Sequence, residues 1–395
     1  MSNAGQLLLT RLEGSEHLTE EERALLGEVR EVVRQKIEPR AERLDVEGKF
    51  PWESMQDLNS LGLNGVFIPA EHGGAGLSYT CYLWLVHEIS RGCASTGVTW
   101  ATNYHAIAPV IEFGTEEQKR RFLPVILAGG LGALAITEQT GGSDATAMRT
   151  SLRPDGQEVV VSGEKVFITS GDVADLYLVF GKWSELGGGK AALSAVVMEK
   201  GTEGLSVVRK EDKLGHRASS TVALRFEECR VPRANLLCGP GDGRRILLGA
   251  LNRSRPSVAA QALGIARAAF DDAVAYVNQR EQFGQRLVDF QGVQFELADL
   301  AARLVSVQAL MVHVARLLDA GMPDVGLEAS ALKLLASDLA ADAAGQNVQL
   351  HGGYGYIRPS KAERLFRDAK LTQIWEGANE LHRANIGRAF RERLE

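Results

Sequence analysis

A chain of 395 residues, 45% hydrophobic and 24% charged, has the composition of an ordinary globular protein and is longer than one compact core needs, so two or three domains are expected. Its formal net charge of -6 argues against a nucleic-acid binder, which is usually basic. Cys81, Cys93, Cys229 and Cys238 form no CxxC and no His-rich cluster, which excludes a disulfide framework and a zinc site and points to a reducing cytoplasm.

Met1 to Leu9 carries no basic stretch followed by a long apolar run, so no secretory leader is expected. From Thr19 to about Gly130 apolar residues recur at helical spacing, as in Leu25, Leu26, Val29, Val32 and Val33. Thr115-Glu116-Glu117-Gln118 has the form of a helix start, a Thr cap with Gln three residues on. The uncharged run from Gly92 to Ile111 contains Ser95, Thr96, Thr99, Thr102, Asn103 and Pro109. It is too polar to favour a bilayer span and reads as a buried helix and a candidate pocket wall.

From about Leu134 to Leu237 short β runs take over. Glu158–Gly163 and Lys165–Thr169 flank a Gly-Glu turn, and Asp175–Phe180, Ala191–Met198 and Thr221–Phe226 follow. From about Arg244 the pattern is helical again, with Ala-rich segments over Val258–Tyr276, Val293–Ala320 and Leu327–His351. The expected fold is therefore mostly α with a central β domain. It comprises an N-terminal helical domain (1–133), a β middle domain (134–240) and a C-terminal helical bundle (241–395).

No GxGxxG follows a strand, and neither GxxxxGK[ST] nor HExxH occurs, so nothing supports a Rossmann site, a kinase or metal catalysis. Four segments and one carboxylate could carry other chemistry. In Ile136-Thr137-Glu138-Gln139-Thr140-Gly141-Gly142-Ser143-Asp144, paired glycines flanked by hydroxyls let backbone N–H groups face an anion or a flat ring. An ordinary helix-to-strand loop would look the same. Phe167-Ile168-Thr169-Ser170-Gly171 ends a strand in an aromatic and two hydroxyls, suited to a flat cofactor or to a plain turn. Gln349-Leu350-His351-Gly352-Gly353 closes a long helix and is either a C-cap or a close approach for a phosphate. Arg280-Glu281-Gln282-Phe283-Gly284 joins two helices with a cation that is either a surface charge or a pyrophosphate ligand. Glu376 stands between Trp375 and Gly377. A carboxylate shielded from water by an aromatic gains proton affinity, and the Gly admits a ligand close to the backbone.

These segments, in this order, resemble the acyl-CoA dehydrogenase family, over about Thr19 to Arg388. The resemblance implies a helical N-terminal domain, a β-barrel-like middle domain and a C-terminal four-helix bundle. It also implies non-covalent FAD, an acyl-CoA substrate, a homotetramer and electron-transferring flavoprotein as acceptor, with no nucleic acid and no membrane. It assigns Leu134, Ile136, Thr137, Gly142 and Ser143 to the flavin ring and its phosphates, Ser143 also touching the thioester. Phe167, Ile168 and Thr169 would line the ring, as would Ala378, Asn379 and Glu380. Arg280, Phe283, Gln291, Gln349, Leu350, His351, Gly352 and Gly353 would reach the ADP half of FAD in a neighbouring subunit. Asn252, Arg253, Ser254 and Arg255 match the segment on the pantetheine arm, and Trp375 and Gly377 would border the substrate.

The reaction implied is α,β-dehydrogenation of the thioester to the trans-2-enoyl-CoA. Glu376 matches the catalytic base and removes the α-proton while the β-carbon gives a hydride to flavin N5. The Glu376 backbone N–H and a ribityl hydroxyl would steady the carbonyl oxygen. In one branch of the family the base precedes the Arg matched by Arg255. Ser254 stands there and is no carboxylate, which favours Glu376. Gln139, Phe167, Trp375, Ala378 and His216 depart from residues common in the family. Trp100, Asn103, Tyr104, His105 and Trp375 are expected to shorten the acyl pocket in favour of short, branched or aromatic groups. Rival readings on this scaffold are a flavin oxidase or monooxygenase, a dehydrogenase of acyl carrier protein thioesters, and a helical interaction protein that has lost FAD.

Overall fold

The computed structural model describes residues 3–10, 17–187, 189 and 192–391. Its N-terminal part is helical: α1 (Asn3–Thr10), α2 (Glu20–Val32), α3 (Glu38–Glu47), α4 (Trp52–Ser60), α5 (Tyr79–Gly92), α6 (Ala94–Phe113) and α7 (Glu116–Leu127). Two of these starts are capping boxes. The Thr19 hydroxyl accepts from Glu22 N at 3.1 Å and Thr19 N donates back to Glu22 Oε2 at 2.8 Å. Thr115 and Gln118 repeat the arrangement at α7, as the sequence pattern predicts. The uncharged run spans the break between α5 and α6, where Cys93 is extended (φ -152°), and α6 is buried from Ala94 to Val110.

The middle region holds β1 (Gly132–Ala135), β2 (Ser151–Asp155), β3 (Glu158–Thr169), β4 (Leu176–Trp183), β5 (Leu193–Glu199), β6 (Leu205–Lys210) and β7 (Thr221–Pro232). They form one curled sheet in the order β1-β4-β2-β3-β7-β6, with β5 antiparallel on the other edge of β4. The expected Gly-Glu turn at 163–164 does not exist; β3 runs straight through it. The register against β7 slips between Val161 and Gly163, and Gly163 sits at φ 153°. A Cβ there would lie 2.6 Å from Thr150 Oγ1, so only glycine lets the strand bend against its neighbour. The short strands β1, β2 and β6 escaped the sequence pattern, because none of them alternates cleanly between buried and exposed residues over enough length.

The last third comprises α8 (Gly243–Gln279), the hairpin β8 (Glu281–Gln282) and β9 (Gln285–Arg286), α9 (Gln291–Asp319), α10 (Gly326–His351), α11 (Gly353–Tyr356), α12 (Lys361–Thr372) and α13 (Asn379–Ala389). α8 begins well before the expected Val258, so residues 252–255 are helical. Among the described residues α9 is the one helix long and apolar enough to cross a bilayer, with 39% of its most apolar window buried. It packs on α5, α8 and α10 as a bundle helix.

A helical core joins α2, α5, α6, α8, α9 and α10, and a second core fills the curled sheet. A third fastens them together: Ile107, Phe122 and Leu123 meet Leu178, Phe180 and Leu193 of the sheet and Ile246 of α8. Each of these side chains contributes about 1.5–3 kcal/mol by burial. This contact fixes the sheet against the bundle.

Candidate active site

α12 ends at Thr372, and the chain turns back through 373–378 into α13. Ile374 N and Trp375 N both donate to Leu371 O (2.8 and 3.1 Å), and Asn379 N closes the loop on Gln373 O at 3.0 Å. The tight path forces left-handed backbone at two successive positions, Glu376 (φ 53°) and Gly377 (φ 99°). For a Glu this costs about 1 kcal/mol or more. Gly377 admits no side chain, since a Cβ would stand 2.9 Å from His382 Nε2.

The Glu376 carboxylate lies against α8. Ser254 Oγ donates to Glu376 Oε2 at 2.5 Å, a short charge-assisted bond. Arg255 is buried beside it; burial draws the guanidinium below its ordinary pKa while the Glu376 charge opposes that. His105 of α6 is buried with its ring 6.0 Å from the Trp375 ring, and burial lowers its pKa despite Glu376, so the imidazole is neutral at pH 7. Among the described residues the Glu376 backbone N–H donates to no group, which leaves it free for a ligand carbonyl.

The other residues expected in a pocket wall divide. Tyr104 borders a cavity of about 300 Å³ with Phe67, Tyr79, Tyr82 and Arg253. Trp100 is wholly buried in the core with its ring 5.6 Å from that of Tyr82, and Asn103 Oδ1 accepts from Gly132 N at 2.9 Å. These two are packing and framework, because α6 is buried on every side and only one of its faces reaches the loop.

The β region supplies a second set. Val166 N donates to Thr137 O at 2.9 Å and so brings the Ile136–Thr137 segment beside Phe167. Phe167 is left-handed (φ 60°) and 63% exposed, with its ring outside the sheet. Ile168 points the other way, into the β core, so only its backbone faces out. Leu134 and Ile136 are partly buried against the joining core. Glu138 shapes the glycine loop from below: its carboxylate accepts from Arg149 N, Thr150 N, Thr150 Oγ1 and Lys165 Nζ at 2.6–2.9 Å. Burial would raise its pKa, but the Thr150 and Lys165 bonds outweigh that and lower it. Gly142 and Ser143 lie on the exposed arm of this loop.

A third set is separate. Arg280, Leu350, His351, Gly352 and Gly353 line a cavity of about 390 Å³ with Tyr276 and Tyr354. The guanidinium of Arg280 lies 5.9 Å from the Tyr354 ring centre and makes no ion pair among the described residues. Phe283, at the tip of the β8–β9 hairpin, is 96% exposed, and Gln291 and Gln349 are exposed near it in sequence or on the same helix end. None of the residues around Glu376 or Thr137 borders this cavity.

Known proteins match this chain along most of its length. The N-terminal, middle and C-terminal domain models of acyl-CoA dehydrogenase match residues 19–130, 133–229 and 241–390. The chain belongs to the acyl-CoA dehydrogenase family. An acyl-CoA dehydrogenase of Bacillus subtilis is 41% identical, over 94% of this chain and 98% of that one. A short-chain-specific acyl-CoA dehydrogenase of Clostridium acetobutylicum is 39% identical, over 95% and 99%. The solved butyryl-CoA dehydrogenase of Megasphaera elsdenii superposes with a TM-score of 0.91 at 35% identity, covering 94% of this chain and 98% of that one.

This acyl-CoA dehydrogenase is thus an oxidoreductase of acyl-CoA thioesters whose family cofactor is FAD. The residues fit that cofactor. The Phe167 ring is open on one face, and a Cβ at Gly352 or Gly353 would meet nothing within 4 Å, so the backbone there is approachable. Arg280, which makes no ion pair among the described residues, offers a cation for a pyrophosphate. Asn379 fits differently from expectation. Its amide turns inward, accepting from Lys333 Nζ at 2.9 Å and donating to Asp338 Oδ1 at 2.8 Å, so its side chain is committed to α10. Ala378 lies in the loop itself and Glu380 is exposed.

Two site residues, Lys333 and His382, escaped the sequence reading, and Ser254, expected on the pantetheine arm, is bonded to Glu376 as well; these relations become visible only when α8, α10 and α13 converge. Lys333 left one trace, a lone cation on a helix face otherwise made of Leu332, Ala336 and Ala340.

Proposed function

We propose that Glu376 is the general base that takes the α-proton of a short acyl-CoA, and that Ser254 holds its carboxylate in line. The observation that carries this is the Glu376 side chain, kept on α8 by the 2.5 Å bond from Ser254 while its own N–H stays unclaimed. That N–H steadies the thioester oxygen as negative charge develops, from the same residue that receives the proton. Trp375 and neutral His105 exclude water from the base and add no competing cation. Bound FAD supplies the hydride acceptor for the β-carbon. Arg280 and the Gly352–Gly353 turn hold the ADP end of a cofactor whose ring lies in another subunit, since their cavity is separate from the Glu376 cleft.

The bulk of Trp375 and His105 beside the base supports a short, branched or aromatic acyl group. Exposed Phe283, Phe295 (59%) and Phe390 (83%) support a homotetramer that covers them. We assign the electron acceptor as electron-transferring flavoprotein in the cytoplasm, which the likeness to a solved chain from the electron-transferring flavoprotein work on Acidaminococcus fermentans supports (37% identity, TM-score 0.92). The test is Glu376→Gln. It should keep its yellow colour and lose at least about 1000-fold in turnover, while in the wild-type enzyme acyl-CoAs of about four to six carbons should bleach the flavin fastest. Near-wild-type turnover in Glu376→Gln refutes the base, and palmitoyl-CoA as best substrate refutes the short pocket.

A further inference from the structure

We infer that Lys333 is a positioning residue for the base: its ammonium clamps the Gly377 carbonyl and the Asn379 side chain, and so pins the 376–379 backbone to α10. This rests on Glu376 as the base.

Lys333 is wholly buried, yet it is a lysine in the middle of an Ala- and Leu-lined helix face. Its Nζ donates to Gly377 O at 2.7 Å and to Asn379 Oδ1 at 2.9 Å. Asn379 is in turn gripped by Ser337 Oγ and Asp338, and Asp338 also receives Gln373 Nε2 (2.7 Å) and Arg383 (2.8 Å). One face of α10, residues 333, 337 and 338, therefore holds the whole return loop from Gln373 to Arg383.

Burying an ammonium is costly, and an apolar side chain of the same length would pack this helix as well or better. The charge is used at two places, both on the loop that carries the base: the Gly377 carbonyl and the Asn379 amide oxygen. Fixing the Gly377 carbonyl fixes the peptide plane that joins Gly377 to Ala378, directly after two left-handed residues in succession that would otherwise relax. The charged groups that act most on the ammonium lie around the base. Burial draws its pKa down to about 7, Glu376, Asp338 and Glu380 oppose that, and Arg255 reinforces it. His382 is neutral beside it, its own pKa drawn to about 4 by burial and then by Lys333 and Arg255.

The clamp predicts a loss confined to proton transfer. The probe is phenylacetyl-CoA, which has α-hydrogens but no hydrogen on its β-carbon to give up. Exchange of its α-hydrogens in D2O, followed by NMR with the FAD-loaded enzyme, isolates the base from the hydride step. Lys333→Met should exchange at least 30-fold more slowly and lose kcat on butyryl-CoA by a similar factor, with KM within threefold and FAD retained. Lys333→Gln, which keeps an uncharged N–H donor group and serves if the Met variant does not fold, should exchange at least fivefold more slowly. Exchange within twofold of wild type in either folded variant overturns the clamp, as does a KM rise that accounts for the whole loss in kcat/KM. Glu376→Gln is run alongside. Wild-type exchange there refutes the base, and the clamp with it, whereas loss there with full exchange in Lys333→Met refutes the clamp alone.

Discussion

Gly377→Ala puts a side chain where the loop has no room. The added Cβ would lie 2.9 Å from His382 Nε2 and 3.2 Å from His382 Cε1, and His382 is fully buried and cannot swing aside. Relieving that contact needs a shift of about 0.5 Å, and alanine at φ 99° adds about 1–2 kcal/mol of backbone strain. The global effect is small. With an unfolding entropy of about 2.1 cal/mol/K per residue, about 2 kcal/mol lowers Tm by only ~2–3 °C in a chain of this size. The catalytic effect is larger. If a 1 Å misplacement costs about 100-fold, half of that costs about tenfold in kcat. Turnover with butyryl-CoA and a thermal scan measure the two together. A kcat within twofold of wild type, with Tm unchanged, would show that the contact with His382 does not set the position of the base. His382→Ala in the same background should return part of the lost rate, as expected of two groups that touch.

Two further outcomes follow from buried charges. Lys165 and Glu138 form an ion pair with side-chain exposures of 0% and 7%, and burial draws the lysine's pKa to about 8 against the pull of Glu138. Lys165→Met strands the carboxylate and should cost about 3 kcal/mol in urea unfolding, the low end of the range, because Thr150 and Arg149 still hold it. Glu88 is buried with His87, Arg30 and Arg91 around it. Burial alone would raise its pKa, but these partners outweigh that and hold it far below its ordinary value of 4.5. A depressed carboxylate stabilises the fold fully above its unfolded pKa and loses that contribution as pH falls toward its folded one. Glu88→Gln should therefore be less stable by about 1–2 kcal/mol at pH 7. The gap to wild type should narrow steadily below about pH 4.5 in acid unfolding, and a gap independent of pH would contradict the assignment.

Local order was legible wherever a short-range rule governs the chain. The capping boxes at Thr19 and Thr115 are helix starts, and the Ala-rich runs became α8, α9 and α10. The change of period near Leu134 marks the sheet, whose first strand starts at Gly132. Strand detail was not legible: β3 passes through its Gly-Glu pair because β7 and Thr150 dictate the bend, and no neighbour in sequence reports that. Residues read as a pocket wall divided for a similar reason. A helix with apolar and polar residues all round gives no sign of which face meets a cleft and which meets Tyr82 or Gly132.

Amino-acid order alone determined the succession of helices, sheet and helices, and the motif set from Ile136 to Glu380 that places the chain in its family. Short-range propensity and residue type are enough for both. Tertiary structure alone decided what surrounds Glu376, because Ser254, Lys333 and His105 lie 122, 43 and 271 positions away along the chain and meet it only once α6, α8 and α10 have packed. It also turned the Asn379 amide inward and gave the Gly377 carbonyl a buried cation. Contacts of this kind depend on distances that close on folding, and no periodicity in the sequence encodes them.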